Sequence, residues 1–387
     1  MDIYYYYVRG LAKANPLNLS LTLKGGIKMG LFNKAIIVHH IDADGYCAGY
    51  WAVRSALKMG VPEEQIIAVS YNYGEFEKNP EHFTIFDSVD SETVVFVVDI
   101  MLPESLMKTL YNISGHMVWI DHHGTSIAAM HDFDAELAND IPGIRIDGIA
   151  ACELAWAYYH SITAKDILEG SDPKSGHITT PIQFTSGAIA WDGTSKDLWI
   201  PKGTLLVSDN DTWTHRYSES KIYAALMRRI CSGRPYLNHY FFDDFFDDGV
   251  IDWELVKAEQ VYHFEVEEMQ ELAKGAIPAT LLVPLDDPTG VGEAYRCLII
   301  KSEKYNSQMF EYCTSGLASK ADIFVKAHID ADGVSHYTLY RGRSERATNI
   351  HCGLICKKFG GGGHPGAAGF TSKEPAFCVD VPGMQDI

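Results

Sequence analysis

Val94-Val95-Phe96-Val97-Val98-Asp99 is the stretch that decides the fold. Its first five residues are apolar on both alternations, so a strand made from them buries both faces. That is the habit of a parallel sheet covered by helices. The run ends in a carboxylate. Ala35–Val38, Met117–Ile120 and Thr204–Val207 read the same way, too short for helices and each followed by acids. Asp42 and Asp44 follow the first, Asp121, His122 and His123 the third, and Asp209 the fourth. Helix-like stretches lie between or after them, at Ala48–Met59, Pro103–Tyr111 and Ala151–Ser161. Strands alternating with helices predict a doubly wound α/β domain with a mainly parallel sheet.

In such a sheet, ligands bind beyond the carboxyl ends of the strands. The four runs would therefore deliver carboxylates and imidazoles to one crevice. Like charges gathered in a cleft cannot all stay ionised without a cation. Oxygen-rich donors with one or two imidazoles suit Mn²⁺ or Mg²⁺, with Zn²⁺ and Fe²⁺ as alternatives. Two ions sharing a carboxylate form a clamp for displacement at phosphorus. A lone Asp after a strand is most often a helix cap or turn residue, and Asp42 alone would be read so. Four such positions, one with adjacent histidines, favour the cluster. Asp211 has two readings, a ligand or a cap for the turn that follows it.

The texture changes near Arg234–Tyr236. Tyr240–Asp252 mixes aromatics with acids, and a helical pattern runs from about Trp253 to Lys274. This predicts a helical connector, whose plain alternative is a packed helix with a solvated acidic face. β-like runs return at Thr280–Val283, Arg296–Ile300, Ile323–Ala327 and His336–Tyr340, predicting a smaller α/β domain. The expected division is an extension over 1–30, a catalytic domain over 31–235, a connector over 236–276, a substrate-binding domain over 277–375 and a tail over 376–387. Met29 is a candidate start. The segment around Ser161–Asp197 reads as an insertion.

The chain has 387 residues, enough for two domains. Its net charge of −19 argues against gripping long duplex DNA, which needs basic surface. It allows a small phosphate ligand held through metal ions. The eight cysteines contain no CxxC pair, which fits reduced thiols and a cytoplasmic protein. No apolar run is long enough for a membrane span, so no membrane partner is expected.

These motifs together resemble the DHH phosphoesterase family. His40-Ile-Asp-Ala-Asp-Gly45 resembles its first motif, Asp99 after VVFVV the second, Asp121-His122-His123 the signature that names it, and Asp209 in VSDNDTW the fourth. Phe359–Phe370, FGGGGHPGAAGF, resembles the GGGH motif of the DHH-associated substrate-binding domain. The motifs keep the family's order from about 40 to 370.

The resemblance implies two divalent ions, Mn²⁺ before Mg²⁺. It implies His40, Asp42, Asp44, Asp99, His122 and Asp209 as ligands, with Asp99 as the bridge. Asp121 would be a ligand or the partner orienting a histidine. His123 would face the scissile phosphate. In the second domain Gly361, Gly362 and Gly363 would let the backbone approach a phosphate or terminal nucleotide. His364 and Arg341 would bind phosphates, with Arg343 as the alternative to Arg341. The plain reading of the glycine run is a flexible loop, and the neighbouring His-Pro and Ala-Ala-Gly favour a tight turn.

Within the family the two-domain oligoribonuclease type fits best, acting on short oligonucleotides or on small nucleotides such as pAp. The alternatives are a RecJ-like single-strand exonuclease, a cyclic-dinucleotide phosphodiesterase and a catalytically weak nucleotide-binding regulator. A homodimer is compatible with the family. Closure of the two domains about the connector is expected to position the attack. HIDADG occurs again at His328–Gly333, between two β-like runs. There it reads as a hairpin turn with Gly333 at positive φ, and no catalytic metal is expected at it.

Overall fold

The computed structural model describes residues 32–73, 75, 80–161, 183–185, 188–190, 200–231, 243, 248–284, 292–363, 365–374 and 376–378. The expected N-terminal extension, most of the aromatic-acidic stretch and His364 lie outside the described residues.

The first sheet is made of β1 (Lys34–His40), β2 (Ile66–Tyr71), β3 (Thr93–Val98) and β4 (Met117–Ile120), in the order β2-β1-β3-β4 and parallel throughout. The alternation of β3 sorts its side chains to opposite faces. Val94, Phe96 and Val98 join Ala35, Ile37, Val118 and Ile120 in one core. Val95 and Val97 join Ile36, Val38, Met117 and Trp119 in the other. Helix α1 (Ala43–Lys58) starts at Asp42, whose carboxylate accepts the N–H of Gly45 at 2.9 Å. A Cβ on Gly45 would overlap the carbonyl of His40, so the tight entry into α1 requires glycine. Helices α2 (Glu104–Ser114), α3 (Gly124–Asp140) and α4 (Ala151–Ser161) complete the layers on the sheet.

The fourth apolar run is a helix. Thr204–Val207 lies inside α5 (Lys202–Asp211), with the Leu205 N–H bonded to the Pro201 carbonyl. A short buried run is apolar all round in either conformation, so periodicity alone does not separate the two. The fourth strand is instead β2, from the less apolar IIAVSY at the sheet edge. A two-stranded pairing, β5 (Gln183–Thr185) with β6 (Ala188–Ala190), is what is described within the insertion-like segment.

Helix α6 (Ser220–Cys231) is followed by α7 (Asp248–Lys274), about 40 Å long at 1.5 Å per residue. Ile251 and Leu255 of α7 are buried in the first core, and Met269 and Ala273 in a core of the second sheet. That sheet has seven strands. They are β7 (Ile277–Val283), β8 (Glu293–Lys301), β9 (Ile323–Ile329), β10 (Ser335–Arg341), β11 (Gly362–Gly363), β12 (Ala367–Ser372) and β13 (Phe377–Cys378). Their order is β11-β12-β10-β9-β8-β7-β13, antiparallel except for β8 with β9. Phe377 and Cys378 pair with β7, so the sheet reaches into the segment read as a tail. Among the described residues no helix is long and apolar enough to cross a membrane.

Candidate metal centre

The carboxyl ends of β1, β3 and β4 meet on one side of the first sheet. Between β1 and β3 the strand order reverses, which is where such sheets bind ligands. Strand alternation separates the two histidines ending β1. His39 packs inward against Tyr46, ring centroids 4.7 Å apart, and His40 faces the cluster. His40 Nδ1 lies 2.9 Å from Asp42 Oδ2 and 3.6 Å from Asp99 Oδ2. His122 Nε2 lies 3.2 Å from Asp99 Oδ1 and 3.5 Å from both Asp44 Oδ2 and Asp211 Oδ2. His123 Nδ1 is 2.7 Å from Asp121 Oδ1 and 3.8 Å from Asp99 Oδ1. Among the described residues three sets of donor atoms have metal-binding spacing: His40, Asp42 and Asp99; Asp44, His122 and Asp211; and Asp99, His122 and His123.

Asp99 stands at the middle. It is buried, its backbone is left-handed at φ 58°, and neither carboxylate oxygen has a hydrogen-bond partner. A non-glycine residue held there stores strain, which clusters at functional sites. Burial, then Asp44 and Asp42, push its carboxyl well above the usual carboxylate range. Burial, with Asp44 next, pushes Asp211 up to about 7. Burial alone would lower His122, but Asp211 and Asp44 outweigh it and raise the imidazole above its ordinary value. Four carboxylates crowded around two imidazoles, with two buried oxygens at the centre that make no hydrogen bond, form a donor set that fits divalent cations.

The supports are built from backbone. Asp44 accepts the N–H groups of Ala151 and Cys152, each at 2.8 Å, at the start of α4. Asp121 accepts those of His122 and His123 at 2.7 and 3.0 Å, and the ring Nδ1 of His123. These bonds, chiefly His123, hold the Asp121 carboxyl low against the upward pull of burial. Below it, Arg145 lies 5.1 Å from the Trp119 ring centroid and donates to the carbonyls of Trp119, Ala138 and Ile141.

Asp209 is placed differently from the expectation. Residues two apart on a helix point in nearly opposite directions, and Asp209 and Asp211 both lie in the last turn of α5. Asp211 faces His122. The buried Asp209 faces away and accepts from Thr214 Oγ1 at 2.5 Å, the N–H groups of Arg216 and Tyr217 at 2.8 and 3.1 Å, and Ser220 Oγ. It ties down a loop in which Trp213 and His215 have φ of 58° and 45°. Asp211 is thus the nearer donor and Asp209 the loop anchor, the reverse of the reading by position after an apolar run.

In the second sheet, Gly362 and Gly363 form β11, paired with Gly369 and Ala368, so this part of the glycine run is strand. Gly363 has φ 138°, and a Cβ there would press on Ala368. A Cβ on Gly361 would overlap the Gly369 carbonyl. Helix α3 packs beside this strand. A Cβ on Gly353, in the short helix α8 (Cys352–Lys357), would come within 3.1 Å of Thr125 Cγ2 in the first turn of α3. Arg341 N–H donates to Gly366 O and its Nε to Ile350 O at 3.3 Å, which sets it beside the glycine strand. Arg343 instead lies 5.7 Å from the ring of Phe324, in the other core.

The second HIDADG is a hairpin turn. Asp330 accepts from the N–H groups of Asp332 and Val334, Gly333 has φ 76°, and β9 and β10 pair antiparallel on either side. Sequence reading passed over Asn72 and Tyr73, which follow β2 and reach His40. The signal was the polar-aromatic SYNY closing a modest apolar run.

No protein-family model matches the chain, and neither does any curated protein. Solved structures do match. The DHH domain of a protein described as a member of a ribosomal-protein family is 14% identical, with a TM-score of 0.48 over 87% of this chain and 82% of that one. The exonuclease RecJ bound to manganese is 15% identical, with a TM-score of 0.40 over 90% and 86%. A pGpG-specific phosphodiesterase from Vibrio cholerae is 10% identical, with a TM-score of 0.38 over 87% and 92%. At this level of overlap the functional reading rests on the site itself.

Proposed function

We propose that this chain is a two-metal phosphodiesterase of the DHH type that hydrolyses short oligonucleotides, with short RNA as the first substrate to test. The observation that carries the reading is Asp99, buried, strained and without a hydrogen bond at either oxygen, between donors from β1, the start of α1, the end of β4 and α5. His40, Asp42 and Asp99 would hold one divalent cation, and Asp44, Asp99, His122 and Asp211 the other. When bound, such ions supply a water of lowered pKa and neutralise charge on the phosphate oxygens.

The chain's own groups do the rest. Asp121 fixes the His123 ring through Nδ1, assigning the exchange of a hydrogen bond or proton with a phosphate or leaving oxygen to Nε2. The N–H groups of Ala151 and Cys152 hold the Asp44 carboxylate in place, so its geometry is set before substrate arrives. Arg341, His364 and Gly361–Gly363 would take the terminal nucleotide. The close approach of α8 to the start of α3 supports a placement of that module beside the centre, which would favour short substrates.

The test is release of nucleoside monophosphate from RNA and DNA oligomers of two to about twenty nucleotides, with Mn²⁺ and with chelator. Metal-dependent turnover fastest on the shortest RNA is expected. Faster turnover of long single-stranded DNA would replace the reading with an exonuclease. Turnover that survives chelation would overturn the metal assignment.

A further inference from the structure

Beyond β2 the chain turns over the candidate centre. Asn72 Oδ1 lies 3.3 Å from His40 Nε2 and accepts the backbone N–H of Tyr73 at 2.9 Å. The Tyr73 ring centroid is 5.6 Å from that of His40 and 5.6 Å from that of His123, which are 6.4 Å from each other. Its backbone is thus tethered through Asn72 to the β1 side of the centre, and its ring packs against His123 on the β4 side. It is nevertheless 47% exposed, whereas Tyr46 and Trp119 in the same domain are at 1% and 0%. A ring fixed in position, touching two site histidines and left open to solvent, offers its face to a ligand.

We propose that Tyr73 is the nucleobase platform of this site, stacking against the base whose sugar adjoins the scissile phosphate. The inference rests on the phosphodiesterase reading and names what its substrate must carry: a planar base one sugar away from the reacting phosphorus. Every base has a π face, so stacking tolerates any sequence. The platform therefore selects nucleotides over other phosphodiesters and does not choose among bases. Because the backbone tether and the ring contacts are in place beforehand, little side-chain freedom is lost on binding.

The experiment compares a dinucleotide with the same molecule lacking the base next to the scissile bond, using the full chain with Mn²⁺. Tyr73→Ala is expected to raise KM for the dinucleotide roughly 5- to 150-fold, the range given by alanine replacement of stacking aromatics. It is expected to leave KM for the abasic analogue unchanged. Tyr73→Phe keeps the ring and should stay near wild type, whereas Tyr73→Leu should follow the alanine variant. Equal losses on both substrates, or a loss in kcat alone, would overturn the proposal and leave the ring a prop for His40 and His123. Calorimetric titration of adenosine 5′-monophosphate against ribose 5-phosphate needs no turnover, so it separates this proposal from the phosphodiesterase reading. Wild type should prefer the nucleotide and Tyr73→Ala should not. No preference in wild type, or one that survives the substitution, refutes the platform.

Discussion

Asp209→Ala and Asp211→Ala remove the same group two residues apart, yet the structure predicts opposite consequences. The Asp209 carboxylate is buried and accepts four close hydrogen bonds, two from backbone N–H groups and two from hydroxyls. The hydroxyls can turn to other acceptors, whereas the N–H groups of Arg216 and Tyr217 are fixed. Each stranded donor costs about 1–3 kcal/mol, so Asp209→Ala should lose roughly 2–6 kcal/mol of stability whether or not metal is present. Asp211 sits among like charges, and burial with Asp44 has pushed its carboxyl up to about 7. Removing it in chelator should therefore cost nothing, or add stability above neutral pH. What Asp211→Ala should lose is the stabilisation conferred by bound metal, about 2.7 kcal/mol at a hundredfold excess over Kd. The assay is urea denaturation of wild type and both variants, in chelator and in Mn²⁺. If Asp209→Ala keeps its stability in chelator and loses the Mn²⁺ increment, the two roles are exchanged and the geometric argument fails.

The repeated HIDADG gives a second contrast. Asp42→Ala should abolish Mn²⁺-dependent turnover while Asp330→Ala leaves it intact, and equal losses would make the hairpin part of the site. A third prediction concerns acid. Hydrogen bonds from Arg296 and Ser344 outweigh burial and bring Asp322 from 3.8 to about 2. The folded state then binds this proton less readily than the unfolded chain, so the group stabilises above about pH 4 and that contribution is lost as pH falls toward 2. Asp322→Asn should flatten this part of the stability profile, and an unchanged acid limb in urea titrations would refute it.

What the sequence revealed depended on whether one conformation alone could explain a run. β1, β3 and β4 were legible because each apolar run ends at an acid or a histidine and is too short for a helix. Thr204–Val207 had the same appearance, but four buried residues satisfy a helix equally well, and Pro201 two residues before Gly203 was the available sign of a helix start. Read as a strand end, the run leaves Asp209 as the expected donor and Asp211 with two readings, whereas a helix turns neighbours two apart to opposite sides. β2 was passed over because an edge strand, covered on fewer sides, carries a weaker apolar signal. Asn72 and Tyr73 were passed over with it. The first HIDADG and its copy were told apart by their surroundings, a helix start in one case and a hairpin in the other.

Helix α7 carries a consequence for how the molecule comes apart. Its first turns complete one core through Ile251 and Leu255, and its last turns complete another through Met269 and Ala273. Glu265, buried between them, is bonded to Arg228 at 2.5 Å. Neither core can melt without stripping apolar contacts from a helix that the other still needs, and helix formation is itself cooperative along its length. The two halves are therefore thermodynamic hostages to each other: a lesion in the second core weakens the ground on which the metal cluster stands, far from any residue that touches it.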